Sequence, residues 1–128
     1  MLRISRLIHA DAPMLWELLI DTHAWPSWGP SVQAVDCPTR FVCAQSVGRV
    51  RTAAGFWVPF RIVEWDDGAY WSWRVAGVPA TGHRVQPISA TRSEVIFSVP
   101  NWAPFYVPVC SAALRRIERL VLARSAST

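Results

Sequence analysis

Few side chains in this sequence could carry chemistry. His83 lies in Gly82–Ile88, GHRVQPI, a run whose alternation puts His83 and Val85 on one face. A histidine there is either a core residue satisfied by a backbone carbonyl or, with an ordinary pKa near ~6.5, an acid or base at cellular pH. His9 and His23 read as surface residues. Arg61 and Glu64 fall on opposite faces of their strand by alternation, so one of them faces the interior. All 13 basic residues are Arg, which closes Schiff-base and Walker-lysine chemistry. Cys37, Cys43 and Cys110 lack C-x-x-C spacing and read as buried free thiols. No His/Cys/Asp/Glu set has metal-ligand spacing, and neither G-x-S-x-G nor G-x-G-x-x-G occurs. No metal and no cofactor are therefore expected.

These residues need elements to hold them. Leu2–His9 alternates as a first strand, and Asp11 and Pro13 mark the start of a short helix, an N-cap and a residue tolerated in the first turn. Trp16, Leu19 and Ile20 form its apolar face, with Glu17 and Asp21 pointing elsewhere. One further helical turn within Asp21–Ser27 leads into Trp28. Ser31–Cys37, Ser46–Ala53, Phe56–Trp65, Tyr70–Val75, Gly82–Ile88 and Glu94–Val99 come next as strands, with turns at Asp66–Gly68, Gly77–Pro79 and Ser89–Arg92. Short connections make this an antiparallel meander. Pro59 removes a ladder donor, so an edge or a bulge is expected there. A last helix begins near Pro100–Pro104 and runs to about Arg124, with Pro108 kinking its first turns or delaying its start.

Small side chains, Cys110-Ser111-Ala112-Ala113, occupy the middle of that helix. They either let helix and sheet approach closely or leave volume between them; composition favours neither. Each of the eight Trp can bury ~150–250 Å², so core filling accounts for many of them. Trp71 and Trp73 share a face by alternation, whereas Trp57 and Trp65 do so only if Pro59 causes no bulge.

The chain has 128 residues, 52% hydrophobic and 17% charged, which suits one domain over residues 1–128 and is too apolar for disorder. No apolar run approaches the ~18–20 residues of a membrane span, so no stable membrane insertion is expected. Arg3, Arg6 and Asp11 interrupt the N-terminal apolar residues, which argues against a secretory signal and for the cytoplasm. Arg115, Arg116, Arg119 and Arg124 read as a solvated helix face favoured by the helix dipole, since the Trp residues that could stack bases lie elsewhere; no nucleic-acid partner is expected.

The run Trp16–Val32, WELLIDTHAWPSWGPSV, resembles the first third of the START-like superfamily, also called SRPBCC or polyketide cyclase/dehydrase-like. Trp16, Leu19, Asp21, Trp25, Pro26, Trp28 and Pro30 stand in the places of its V-W-x-x-L-x-D…W-P-x-W-x-P pattern. RIVEW (Arg61–Trp65), WSWR (Trp71–Arg74) and GHRVQP (Gly82–Pro87) are similar to its later strands, in the same order. The resemblance implies an α+β helix-grip (START/Bet v-like) fold. In it a curved antiparallel sheet of about six to seven strands wraps a long C-terminal helix, with two short helices after strand 1. It also implies a cavity beneath that helix for a hydrophobic small molecule, such as a lipid, polyketide or aromatic metabolite. Trp28, Trp71, Trp73, Phe97, Tyr106, Val109 and Ala113 are the expected walls, with His83 as polar anchor. Transport or sequestration is the first expectation, by a monomer or homodimer. Cyclisation or dehydration with His83 as acid or base is the rival, and a protein-interaction module the third.

Overall fold

The computed structural model describes residues 1–126. Its elements are β1 (Leu2–Ile8), α1 (Ala12–Ile20), α2 (Trp25–Trp28), β2 (Val32–Asp36), β3 (Val47–Thr52), β4 (Trp57–Asp66), β5 (Tyr70–Val75), β6 (Val78–Pro87), β7 (Ser93–Val99), a 3₁₀ turn (Pro104–Tyr106) and α3 (Val107–Ala126). The strands form one antiparallel sheet in the order β1-β7-β6-β5-β4-β3-β2. Helix α3 packs on β1, β7, α1 and α2, which gives the expected grip. Arg6 on β1 is ion-paired with Glu118 of α3 at 2.9 Å. The core runs between sheet and helices through Ile8, Leu15, Leu18, Leu19, Trp71, Phe97, Leu114 and Ile117, each nearly inaccessible to water. Burying one such aliphatic side chain contributes roughly 1.5–3 kcal/mol.

Asp11 caps α1 as its type suggests: its Oδ1 accepts from Met14 N at 2.9 Å. The other end is closed by the W-P-x-W element. Trp25 Nε1 donates to Leu19 O at 2.9 Å and Trp28 Nε1 to Leu18 O at 3.0 Å, satisfying carbonyls that a helix end leaves without partners. Asp21 does not point to solvent. It is buried and accepts from Arg40 Nε and Nη2, both at 3.0 Å, and from His23 N at 3.0 Å. Burial pushes its carboxyl pKa up, but the hydrogen bonds from Arg40 and His23 and the Arg40 charge outweigh that and leave it lowered. The strap carrying Arg40 and Val42 is thereby tied to the end of α1.

Pro59 lies inside β4 without a bulge, at a local edge: it pairs with Arg49 of β3, while the pairing with β5 begins only at Phe60, opposite Val75. Its carbonyl accepts from Ala76 N, beyond the last residue of β5, so the side from which its donor is missing faces a strand that has ended. The bulge comes later, between Ile62 and Glu64. It shifts the parity of the rest of the strand. Phe60 and Ile62 are buried, Trp57 is exposed on the outer face, and Trp65 is turned inward against Trp16, ring centroids 5.4 Å apart. Arg61 and Glu64, expected on opposite faces, are both exposed outside, where Glu64 accepts from Ser72 Oγ at 2.7 Å. The β5–β6 hairpin turns at Ala76-Gly77, both with positive φ, so β6 begins at Val78, earlier than the Gly77–Pro79 turn allowed. Pro108 delays the last helix: a 3₁₀ turn comes first and α3 starts at Val107. Only Cys110 of the three thiols is buried; Cys37 is half-buried and Cys43 exposed.

Candidate functional site

Alternation on β5 and β6 sends Trp71, Trp73, Thr81 and His83 to the concave face, where the indoles of α2 meet them. Trp25 stacks on Trp71 (5.5 Å, 16°), and the ring of His83, the neighbour of Trp71 across the ladder, lies 3.9 Å from it. Trp73 meets Trp25 and Trp71 edge-on at 5.4 and 5.6 Å, and Phe97 meets His83 at 4.9 Å. Such aromatic pairs contribute about 0.5–1.5 kcal/mol each beyond area burial. The floor of the grip is filled by rings.

A chain of hydrogen bonds orders this floor. The carbonyl of Trp71 can only accept, so His83 Nδ1, 3.3 Å away, carries the proton. His83 Nε2 then accepts from Thr81 Oγ1 at 2.9 Å, and Thr81 Oγ1 accepts from Trp73 Nε1 at 3.1 Å. Burial lowers the His83 pKa to about 3, against the opposing Trp71 hydrogen bond, so the imidazole is neutral at cellular pH. Trp71 Nε1 is buried with no hydrogen-bond partner among the described residues.

Two spaces adjoin this network. The inner one, about 30 Å³, is bordered by all eight residues singled out in the sequence: Trp28, Trp71, Trp73, His83, Phe97, Tyr106, Val109 and Ala113. It has room for about one water molecule. The hollow expected beneath the small residues of α3 is therefore closed by indole rings, and the usable volume lies elsewhere. An outer cavity of about 430 Å³ opens between the starts of β2 and β6, the β3–β4 turn and the segment entering α3. Of the eight residues only Trp73 and Tyr106 border it. Its other walls are Ser31, Val32, Val50, Thr52, Ala53, Ala54, Val75, Val78, Ala80, Thr81, Pro100, Trp102 and Ala103, which the sequence reading missed. The signal available was the recurrence of alanine in and beside the connecting segments: Ala53 and Ala54 after β3, Ala80 near the start of β6 and Ala103 before the 3₁₀ turn. A register irregularity between β5 and β6, opposite Trp73, lets the neighbours Ala80 and Thr81 both border the cavity.

No Arg, Asp or Glu borders either space. The titratable groups that do are all held neutral: His83 as above, Cys110 with a thiol pushed up to about 11 by burial, and Tyr106 with a phenol raised by burial and hydrogen-bonded to the Ser31 hydroxyl. The hydroxyl-bearing residues that border the outer cavity are Ser31, Thr52, Thr81 and Tyr106. No group of three or more potential metal ligands occurs among the described residues.

The chain's fold recurs in solved structures of low sequence identity. It is similar to the ZhuI aromatase/cyclase of Streptomyces sp. R1128 (TM-score 0.72, 14% identity, covering 97% of this chain and 94% of that one). The XoxI protein of Bacillus cereus matches at TM-score 0.72 and 14% identity, over 94% of each chain. A norcoclaurine synthase of Thalictrum flavum matches at TM-score 0.62 and 12% identity, over 97% of this chain and 94% of that one. Comparison with curated proteins finds no match. A family model matches residues 2–126, and the chain belongs to that family, described as polyketide cyclase/dehydrase and lipid transport.

Proposed function

We propose that this protein binds an uncharged hydrophobic small molecule in the outer cavity, with its polar end toward Thr81 and Tyr106 and its apolar body against Val50, Val75, Val78 and Trp102. The observation that carries the reading is a cavity of about 430 Å³ with apolar walls, four hydroxyl-bearing residues and no ionised side chain. That volume falls in the range of small-molecule sites, ~300–1,000 Å³. A carboxylate or phosphate buried there would lose its hydration with no cation to replace it. Family membership supports a hydrophobic ligand or a cyclase-type role in general terms.

A cyclase-type reaction is the second reading. One observation favours it: Thr81 Oγ1, bordering the cavity, is hydrogen-bonded to His83 Nε2, so the imidazole can reach a bound molecule through one hydroxyl. A His83 pKa of about 3 makes it a weak base, which is why binding is preferred. Melting curves with matched pairs of ligands, a polycyclic phenol or ketone against the same skeleton bearing a carboxylate, test the first reading. At a concentration ~100 times Kd a true ligand adds about 2.7 kcal/mol to folding stability. Stabilisation by the neutral members alone is expected; stabilisation by the acids alone, or by none, would overturn it. Turnover of a bound neutral ligand, lost in His83→Gln, would establish the second.

A further inference from the structure

The exposed aromatic residues are gathered at one end of the molecule. Phe56 is 69% exposed, Trp102 56% and Phe105 70%, and Trp57 is also exposed. Four of the five exposed aromatic residues among those described thus lie at the β3–β4 turn or in the segment entering α3; the fifth, Phe41, lies in the strap beyond β2. Strand directions put these two segments and the Ala76-Gly77 turn at the same end of the sheet, and the outer cavity opens between them, bordered by Ala53 and Ala54, by Val78 and by Trp102. Trp102 joins two of the three: its Nε1 donates to Pro79 O at 3.1 Å, and its ring stands 6.4 Å from that of Phe105.

Charge is distributed in the same sense. Residues 37–63, 68–93 and 95–117 contain no Asp or Glu, so the rim carries none. Arg51 and Arg74 are exposed beside it, Arg51 opposite Trp57 in the ladder and Arg74 donating to Gly77 O at 3.2 Å. Carboxylates lie at the other end of the sheet, with Asp66 and Asp67 at the β4–β5 turn and Glu94 at the start of β7. Aromatic tips with flanking cations and no anions suit the headgroup region of an anionic bilayer, where rings enter the interface and arginines meet phosphates. Two copies of this rim face to face would instead set arginines against arginines.

We propose that this rim docks peripherally on anionic lipid surfaces, with Phe56, Trp102 and Phe105 entering the headgroup layer and Arg51 and Arg74 meeting lipid phosphates. The mouth of the cavity then faces a reservoir of apolar molecules and not bulk water. The docking goes beyond the cavity reading and does not depend on what the cavity holds.

Sedimentation of the whole chain with vesicles of equal parts phosphatidylcholine and phosphatidylserine, and of phosphatidylcholine alone, tests it. Binding to the anionic vesicles is expected, with a blue shift of Trp emission. Arg51→Gln and Arg74→Gln should each weaken partition about fivefold. Phe56→Ser, and Trp102→Ser with Phe105→Ser, should each weaken it roughly tenfold through lost apolar area, with melting temperature checked in the same preparations. Phe56 sits on an exposed turn, so its variant remains informative if the double variant fails to fold. The cavity-filling variant Ala80→Phe should bind vesicles like the parent, which separates failure of docking from failure of ligand binding. No binding to anionic vesicles, or binding unaffected by all four rim changes, would overturn the proposal. So would a vesicle-free dimer abolished by Phe56→Ser, which would make the rim an interface between copies.

Discussion

Thr81 Oγ1 stands 2.9 Å from His83 Nε2, and that hydrogen bond lies where the ring-filled floor of the grip meets the open cavity. The hydroxyl serves both sides, since it also accepts from Trp73 Nε1. Thr81→Val keeps the shape but leaves His83 Nε2 and Trp73 Nε1 without partners. Unmade bonds to buried polar groups cost about 1–3 kcal/mol each. Urea unfolding should show a loss of that order for Thr81→Val and a much smaller one for Thr81→Ser.

His83 makes stability fall with acid. Its folded pKa, about 3, lies below the unfolded value of 6.5, so the unfolded chain takes up a proton that the folded chain refuses. The contribution is complete above pH 6.5 and is lost as pH falls toward 3, with a slope approaching ~1.4 kcal/mol per pH unit. Asp21, with a lowered pKa, adds its own loss only below the ordinary carboxylate value of 3.8. Between about pH 6.5 and about pH 4 the slope therefore belongs to His83, and His83→Phe should flatten it in urea titrations.

The W-P-x-W element should behave as a helix cap as well as core. Trp28→Phe preserves an aromatic ring beside Phe97 but removes the donor to Leu18 O. A destabilisation of about 2–4 kcal/mol is expected, a buried hydrogen bond plus the volume of the lost ring. Calorimetry of the melting transition checks it.

Gly48 is required by its neighbours. A Cβ there would stand 2.7 Å from Asp36 O and 2.8 Å from Phe60 Cε2, so backbone of β2 or a buried ring would have to move. Gly48→Ala should cost about 1–3 kcal/mol, read as a lower urea midpoint with unchanged slope.

Much of this arrangement was legible in residue pattern. The cap at Asp11, the strand Tyr70–Val75 and the shared face of Trp71 and Trp73 come from local chemistry and period-two alternation, and the ordered motifs implied the grip. The bulge at Val63 carries no such mark. Ile62-Val63 reads as ordinary strand, so the faces of Arg61, Glu64 and Trp65 could not be assigned by counting. Pro59 looked disruptive only because the length of β5, which ends before the missing donor would be needed, is a tertiary fact. The position of the cavity was hidden for the same reason. The small residues on α3 left close approach and a hollow equally open, the resemblance implied the hollow, and whether indoles from α2 and β5 fill it is decided by how several large rings pack together. The outer cavity is bordered by alanines from the β3–β4 turn, β6 and the segment entering α3, a pattern with no local meaning until those segments are brought around one space.

The central claim is that the outer cavity is the ligand's place. Calorimetric titration of a neutral ligand found in the melting panel into the parent and into Ala80→Phe, which projects a ring into that space, tests it directly. Binding at one site in the parent and at least ~100-fold weaker in Ala80→Phe, with an equal or higher melting temperature, is the expected result. Unchanged affinity in a folded Ala80→Phe would contradict the account.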